Sequence, residues 1–247
     1  MRLSVIIPAY NEAGRIGPTL EAVISYLAGL PRWHPAEVLV VDDGSCDETA
    51  SLATACGSTP LVDVRCLRHR SNRGKGAAVR TGFAASVGDR LLLCDADLAT
   101  PIEELERLAE AAGSGIAIGS RAVDRRLIEN PQPWYRDLMG RSFNLGVQLL
   151  ATPGIHDSQC GFKLFPGDVG RRLASVQRLD GFAFDVELLA RSRAWGVRIV
   201  EVAVRWRHVE ASRVRPLAHS ADMLADLVRI AGWRLFGGLR DPGPEGP

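Results

Sequence analysis

Short apolar runs alternate with segments of helical period through the first half of the chain, and this alternation constrains the fold more than any other feature. Leu3 to Ile7, Glu37 to Val41, Leu61 to Leu67, Arg90 to Cys94 and Gly115 to Ile118 each read as a strand. Between them lie residues 14–29, with Ile16, Leu20, Val23, Ile24 and Leu27 at helical spacing, then Asp47 to Cys56, Lys75 to Ser86 and Ile102 to Ala112. Strands this apolar must be covered on both faces, and the intervening helices supply the cover. The pattern therefore predicts an α/β fold with a mostly parallel central sheet built from βαβ units. Ligands of such sheets bind beyond the carboxyl ends of the strands. That rule selects Pro8 to Glu12, Asp42 to Asp47 and Asp95 to Thr100, which are the polar, Gly- and Asp-containing stretches.

The second half is less regular. Residues 120–133 are charged and contain Pro131 and Pro133, which predicts a mobile loop. Residues 134–150 read as a helix, 156–161 as a polar turn, Phe162 to Phe165 and Val197 to Arg205 as strands, and 216–236 as a final helix. The tail from Asp241 is rich in Pro and Gly. A chain of 247 residues suits one domain, expected over 1–240 with a first half at 1–119 and a second at 120–240. Its net charge of +1 gives no global field for nucleic acid. The five cysteines form no CxxC pair, which favours reduced thiols in a cytoplasmic setting over disulfides or a zinc site. No apolar run reaches the length of a bilayer span.

Asp95 and Asp97 follow directly on the apolar run Leu91 to Cys94. Two carboxylates two residues apart at a strand end can point at one cation if the chain turns there. Such hard oxygen ligands suit Mg²⁺ or Mn²⁺, which would also hold a diphosphate. The alternative is a surface turn that uses Asp for its local hydrogen bonds. Asp42-Asp43-Gly44-Ser45 repeats the arrangement after another strand. Either Asp42 or Asp43 can accept hydrogen bonds from a base or ribose. Ordinary turn and capping chemistry explains Gly44 and Ser45 without requiring two adjacent carboxylates. Asn72-Arg73-Gly74-Lys75-Gly76 opens a helix where glycines and the helix N-terminus favour an anion. A plain basic loop explains that segment equally well.

The segments Val5-Ile6-Ile7-Pro8-Ala9-Tyr10-Asn11-Glu12, Val41 to Ser45, Asn72 to Gly76 and Asp95-Ala96-Asp97-Leu98, in this order, resemble the motifs of the family 2 glycosyltransferases. Ile118 to Arg121, Asp157 to Phe165 and Phe182 to Leu189 extend the resemblance to the polyprenyl-phosphate branch of that family, over roughly residues 3–235. The resemblance implies the GT-A fold and a metal-dependent, inverting hexosyltransferase. It implies transfer of glucose from UDP-glucose to a polyprenyl (dolichyl-type) phosphate, with GDP-mannose as the second donor candidate. It further implies that Pro8, Tyr10 and Glu12 line the base and ribose pocket beside Asp42, and that Lys75 lies near the nucleotide. Asp95 would face the ribose or sugar, and Asp97 would hold Mg²⁺ or Mn²⁺ under the diphosphate, the two forming the metal site. Arg121 would meet a phosphate, and Asp157 and Gln159 would sit over the reacting sugar, Asp157 orienting it or acting as base. Asp185 and Glu187 have the alternative of a helix start, where acids are favoured in any case.

Two segments bear on the acceptor. Residues 134–150 place Leu138, Phe143, Leu145, Leu149 and Leu150 among Arg136 and Arg141. Residues 217–240 hold Leu217, Met223, Leu224, Leu227, Val228, Ile230, Trp233, Leu235 and Phe236 with Arg229, Arg234 and Arg240. Such helices either lie in the membrane interface or pack on the core. The expected location is cytoplasmic, with peripheral contact on the inner membrane face. Two other functions remain open at this point. One is a soluble family 2 transferase that uses a UDP- or GDP-sugar on a small molecule, protein or glycan. The other is a non-catalytic nucleotide-binding module.

Overall fold

The computed structural model describes residues 2–130, 140, 144–208 and 216–241. Strands and helices alternate along the first half as the periodicity predicts: β1 (Leu3–Ala9), α1 (Ala13–Ala28), β2 (Ala36–Asp42), α2 (Thr49–Ala55), β3 (Val62–Arg68), α3 (Lys75–Ala85), β4 (Arg90–Cys94), α4 (Glu104–Ala112) and β5 (Ile116–Ser120). The second half adds β6 (Ile128–Asn130), β7 (Phe162–Pro166), α5 (Gly167–Val176), α6 (Phe184–Ala194), β8 (Ile199–Ala203), β9 (Trp206–Arg207) and α7 (Pro216–Leu235).

Seven strands form one sheet in the order β3-β2-β1-β4-β7-β5-β8, and β6 pairs with β9. β7 is antiparallel to both of its neighbours; the remaining pairs of the large sheet are parallel. The period of two along the strands divides the core into two layers. Val5, Ile7, Val38, Val40 and Leu92 pack with Ile16 and Leu20 of α1 and Leu105 and Leu108 of α4. Ile6, Leu91, Leu93 and Ile118 pack on the other face with Val79 and Phe83 of α3, Leu173 of α5 and Leu188 of α6. Each of these fully buried side chains contributes about 1.5–3 kcal/mol by leaving water. A third cluster joins Val147, Val186 and Ala190 to Leu227 and Ile230 of α7.

Chain order reverses between β1 and β4. β2 and β3 step outward on one side of β1, whereas β4 returns on the other. A crevice opens at that switch point, so the segments after β1, β2 and β4 meet there. The pairing of β1 with β4 stops at Ile6↔Leu93, while that with β2 continues through Pro8↔Val41. Pro8, which has no N–H to donate, thus sits where β1 has one neighbour instead of two.

One expectation is corrected, and one helix was not anticipated. Within the expected loop, Arg125–Leu127 form a short 3-10 turn and Ile128–Asn130 form β6, so residues 125–130 have regular structure; Pro131 and Pro133 lie outside the described residues. Helix α5 carried no signal in the sequence. Its inner face uses Gly167 and Gly170, and a Cβ at Gly170 would lie 2.5 Å from Leu91 Cδ1. Leu173 and Ala174 complete that face at helical spacing, but with only these two apolar side chains fully buried the stripe is short. The division at 119/120 falls inside β5, and β7 is inserted between β4 and β5, so the two halves share one sheet. Of the expected helix 134–150, residues 144–150 are helical; Leu138, Phe143, Arg136 and Arg141 lie outside the described residues.

Candidate active site

The loops after β1 and β2 are stitched together by side chains accepting from backbone. Asn11, at φ 55°, donates its N–H to Ser45 Oγ (2.8 Å), and its own Oδ1 accepts from Cys46 N (2.9 Å). Glu12 N donates to Thr49 Oγ1 and Ala13 N to Asp47 Oδ2. These bonds leave the Tyr10 ring exposed at the lip of the crevice and place Glu12 beside it, paired with Arg15.

The two acids after β2 have different tasks. Asp42 is fully buried; one oxygen accepts from Ser45 N (3.0 Å) and the other lies 3.0 Å from Arg68 Nε. Asp43 is also buried, and its carboxylate accepts from Arg73 N, Gly74 N (2.7 Å) and His69 Nδ1 (2.7 Å). Asp43 is therefore a clamp for the 72–76 loop and has no oxygen left for a base or ribose. Gly44, at φ 74°, lies under the same loop, where a Cβ would collide with Ser71.

The clamped loop delivers Lys75 to the end of β4. Its Nζ lies 2.7 Å from Asp95 Oδ1. Burial pushes the Lys75 pKa down, but the charges of Asp95, Asp185 and Asp97 and the hydrogen bond to Asp95 together outweigh it, and the result is raised. Asp97 Oδ1 accepts from Ala99 N (3.0 Å), in a turn that puts Leu98 at φ 45°. Burial, with Asp95 second, lifts the Asp97 pKa above the usual carboxylate range. Both acids are half-buried, and Asp97 also makes the local hydrogen bond of the turn alternative. Gly161 packs directly on the Asp95 carboxylate, and any Cβ there would collide with it.

On the other side of β4, Arg121 and Asp157 form a bidentate pair. Arg121 Nε and Nη2 each donate at 2.7 Å to the two Asp157 oxygens, and the Arg121 N–H adds a third bond. The guanidinium also stacks 5.4 Å from the Trp206 ring centroid. Burial would raise the Asp157 pKa, but Arg121 holds it below the ordinary range. Gln159 is half-buried two residues on.

Glu201 of β8 was not anticipated from the sequence. Its carboxylate accepts from His156 N (2.8 Å) and Asp157 N (2.9 Å) and so fixes the turn that presents Asp157. Lys163 is the second such residue. Its fully buried ammonium donates to Cys160 O (2.5 Å) and Asp185 Oδ1 (2.6 Å). A lone charge inside an apolar strand, as in Phe162-Lys163-Leu164-Phe165, is the signal that marks such a group. Asp185 and Glu187 follow their structural alternative. Asp185 pairs with Lys163, while Glu187 accepts from Arg178 N, Leu179 N and Arg191 Nε.

Among the described residues there is no group of three or more His, Cys, Asp or Glu that could enclose a metal ion. Asp95 and Asp97 supply carboxylate oxygens only. This donor set fits a hard cation that completes its shell with phosphate and water, the habit of Mg²⁺ at nucleotide sites.

Comparison with known proteins identifies the family and the fold. Residues 4–169 match the signature of glycosyl transferase family 2. The chain is 36% identical to dolichyl-phosphate beta-glucosyltransferase of Homo sapiens, over 95% of this chain and 78% of that one. It is 37% identical to the protein of the same name in Dictyostelium discoideum, over 95% and 75%. Among solved structures, glucosyl-3-phosphoglycerate synthase from Mycobacterium tuberculosis, in complex with Mn²⁺, UDP-glucose and phosphoglyceric acid, superposes with a TM-score of 0.64 at 21% identity, over 94% of this chain and 80% of that one. Mannosyl-3-phosphoglycerate synthase from Rubrobacter xylanophilus gives 0.63 at 20%, over 98% and 78%. At these identities the structural likeness establishes the fold, which is GT-A.

Proposed function

Because the chain belongs to glycosyl transferase family 2, we propose that it transfers glucose from UDP-glucose to a polyprenyl phosphate of the dolichyl type. The observation that carries this reading is the similarity, over 95% of the chain, to proteins named for that reaction. The site geometry supports it. Residues 1–119 supply the donor side: Pro8, Tyr10, Glu12 and Asp42 toward the uridine, and Lys75 toward the diphosphate. Asp95 and Asp97 would hold Mg²⁺ or Mn²⁺, which offsets charge on the leaving diphosphate when bound.

In the proposed reaction an acceptor phosphate oxygen attacks the anomeric carbon. The new C–O bond forms as the bond to the nucleoside diphosphate breaks, and the leaving group takes the electron pair, with inversion. A phosphate monoester with a second pKa of roughly 6 is already a competent nucleophile at neutral pH and needs no strong base. This accords with Asp157, whose oxygens are committed to Arg121 and which therefore serves as an orienting group. The unused edge of the Arg121 guanidinium remains for a phosphate, with Gln159 near the sugar.

The acceptor side, within 120–240, includes an apolar surface that suits a lipid-linked substrate. In α7, Leu227 and Ile230 are buried against the core, whereas Leu224, Val228 and Leu235 share an outward stripe and Phe236 is 89% exposed. Helical residues 144–150 add exposed Leu145, Leu149 and Leu150. Exposed Arg229, Arg234 and Arg240 interleave with these side chains. The final helix thus packs on the core and also presents apolar surface. No helix among the described residues is long and apolar enough to cross a membrane, so we read this face as a peripheral contact. Incubation with radiolabelled UDP-glucose and with GDP-mannose, each with short polyprenyl phosphates, followed by organic extraction, tests the reading. Label from UDP-glucose in the organic phase is expected. Label only from GDP-mannose, or only in water-soluble acceptors, would overturn it.

A further inference from the structure

The Lys75–Asp95 contact has a consequence for how the site is filled. Lys75 carries a compact charge on a flexible four-carbon stem, so it can exchange one anionic partner for another. Its present partner, at 2.7 Å, is one of the two carboxylates suited to hold a cation. The arrangement is held from both sides. Asp43 and the glycines at 74 and 76 fix the loop beneath Lys75; a Cβ at Gly76 would lie 2.5 Å from Leu179 O. Gly161 confines the Asp95 carboxylate. The buried Asp185, engaged by Lys163, adds negative charge behind Lys75.

Counting formal charges, Lys75, Asp95 and Asp97 together carry one net negative charge. A divalent cation arriving alone reverses that sign and must displace the ammonium into a pocket with no diphosphate to receive it. A dianionic diphosphate arriving alone triples the negative charge. The two arriving together leave the net charge unchanged, with Lys75 moved from Asp95 to the phosphates.

We propose that Lys75 is a counter-ion latch: it occupies Asp95 in the nucleotide-free protein and releases it to the metal only when a nucleoside diphosphate draws the ammonium away. Metal and nucleotide then bind with strong mutual coupling, and by linkage each raises the affinity of the other by the same factor. The inference rests on the reading of the site as a nucleotide-sugar site.

Calorimetric titration of Mn²⁺, with the free ion followed by electron paramagnetic resonance, tests it on wild type, Lys75→Met and Lys75→Arg, each with and without UDP. Wild type is expected to bind Mn²⁺ weakly alone and tightly with UDP. Lys75→Met should bind Mn²⁺ at least about tenfold more tightly without UDP, the effect of deleting one unit charge next to the site. Its enhancement by UDP should shrink correspondingly, and Lys75→Arg should restore weak binding. Lys75→Gln replaces Lys75→Met if thermal melting shows the latter to be unfolded. Unchanged or weaker Mn²⁺ binding by the neutral variants without UDP, with the wild-type response to UDP intact, sinks the latch and leaves the transferase reading standing. Failure of wild type to bind Mn²⁺ even with UDP overturns both.

Discussion

Lys163→Met should destabilise the protein by about 3–5 kcal/mol, because it strands a buried carboxylate. Lys163 and Asp185 are both nearly inaccessible to solvent, and their contact at 2.6 Å is the direct compensation for burying either charge. Methionine fills similar volume, so the loss measures the unpaired charge and the lost bond to Cys160 O more than a cavity. For a domain of this size each kcal/mol moves the melting point by about 2–4 °C, so a fall on the order of 6–20 °C is expected. Removing both charges, as Lys163→Met with Asp185→Leu, should recover most of the loss, since the desolvation cost vanishes with the pair. The loss should also depend on pH. Burial already pushes the Asp185 pKa up against the opposing pull of Lys163 and Lys75. Without Lys163 it rises further. A carboxyl whose folded pKa exceeds its unfolded value of about 3.9 subtracts stability above the folded pKa and ceases to do so below the unfolded one. The deficit of Lys163→Met should therefore shrink as pH falls from 8 toward 5. Urea unfolding followed by circular dichroism at both pH values measures this. A single variant within about 1 kcal/mol of wild type at pH 8, or a double variant no more stable than the single, would refute the reasoning.

Asp97→Ala should abolish transfer while the melting curve stays close to wild type, as paired carboxylates at a strand end act on the cation and not on the core; near-normal turnover with an unaltered Mn²⁺ requirement would remove Asp97 from the metal site. Asp157 has a folded pKa below its unfolded value, so its pairing with Arg121 stabilises the protein above about pH 3.9 and is lost as pH falls through the folded pKa. The stability gap between wild type and Asp157→Asn should accordingly close in acid, and a gap independent of pH would contradict the pairing. Glu201→Gln keeps the shape of the side chain but offers one acceptor oxygen to two N–H groups. With each such charge-assisted bond worth about 1.5–3 kcal/mol, kcat/KM should fall about ten- to a hundredfold with the fold retained; unchanged kinetics would mean that the turn holds itself. Flotation with anionic liposomes at low salt should recover the wild type and much less of Leu149→Asp/Phe236→Asp, and high salt should weaken recovery because surface charges are screened over roughly 10 Å at 0.1 M; equal recovery of both proteins would locate membrane contact elsewhere.

The strand–helix alternation over residues 3–120 was legible because the runs of β1, β2, β4 and β5 are buried on both faces and helices such as α1 keep a stripe of large side chains, as Ile16, Leu20, Val23 and Leu27 do. The segments beyond β1, β2 and β4 were legible as site loops for a topological reason: they occupy the carboxyl ends of parallel strands, whatever their side chains do. Helix α5 was harder to read, because two of the four positions on its buried face are Gly167 and Gly170, and only Leu173 and Ala174 mark the stripe. The place of β7 between β4 and β5 was not legible, since an apolar run of five residues does not declare its partners or its direction.

Within the site the residue types on hand can be read along the chain: two acids after β2, two after β4, a basic loop between them, and Arg121 with Asp157 further on. Their duties follow from the fold. Asp42 and Asp43 are chemically identical neighbours, yet Asp43 spends its oxygens on Arg73 N, Gly74 N and His69 while Asp42 faces Arg68. Asp95 meets Lys75 across 20 positions of sequence, Lys163 meets Asp185 across 22, and Glu201 reaches back 44 to hold Asp157. Whether a carboxylate binds a ligand, braces a loop or neutralises a buried lysine depends on which donors lie within about 3 Å of it. That distance is set by the pairing and packing of elements remote in the chain, and no local pattern of residues contains it.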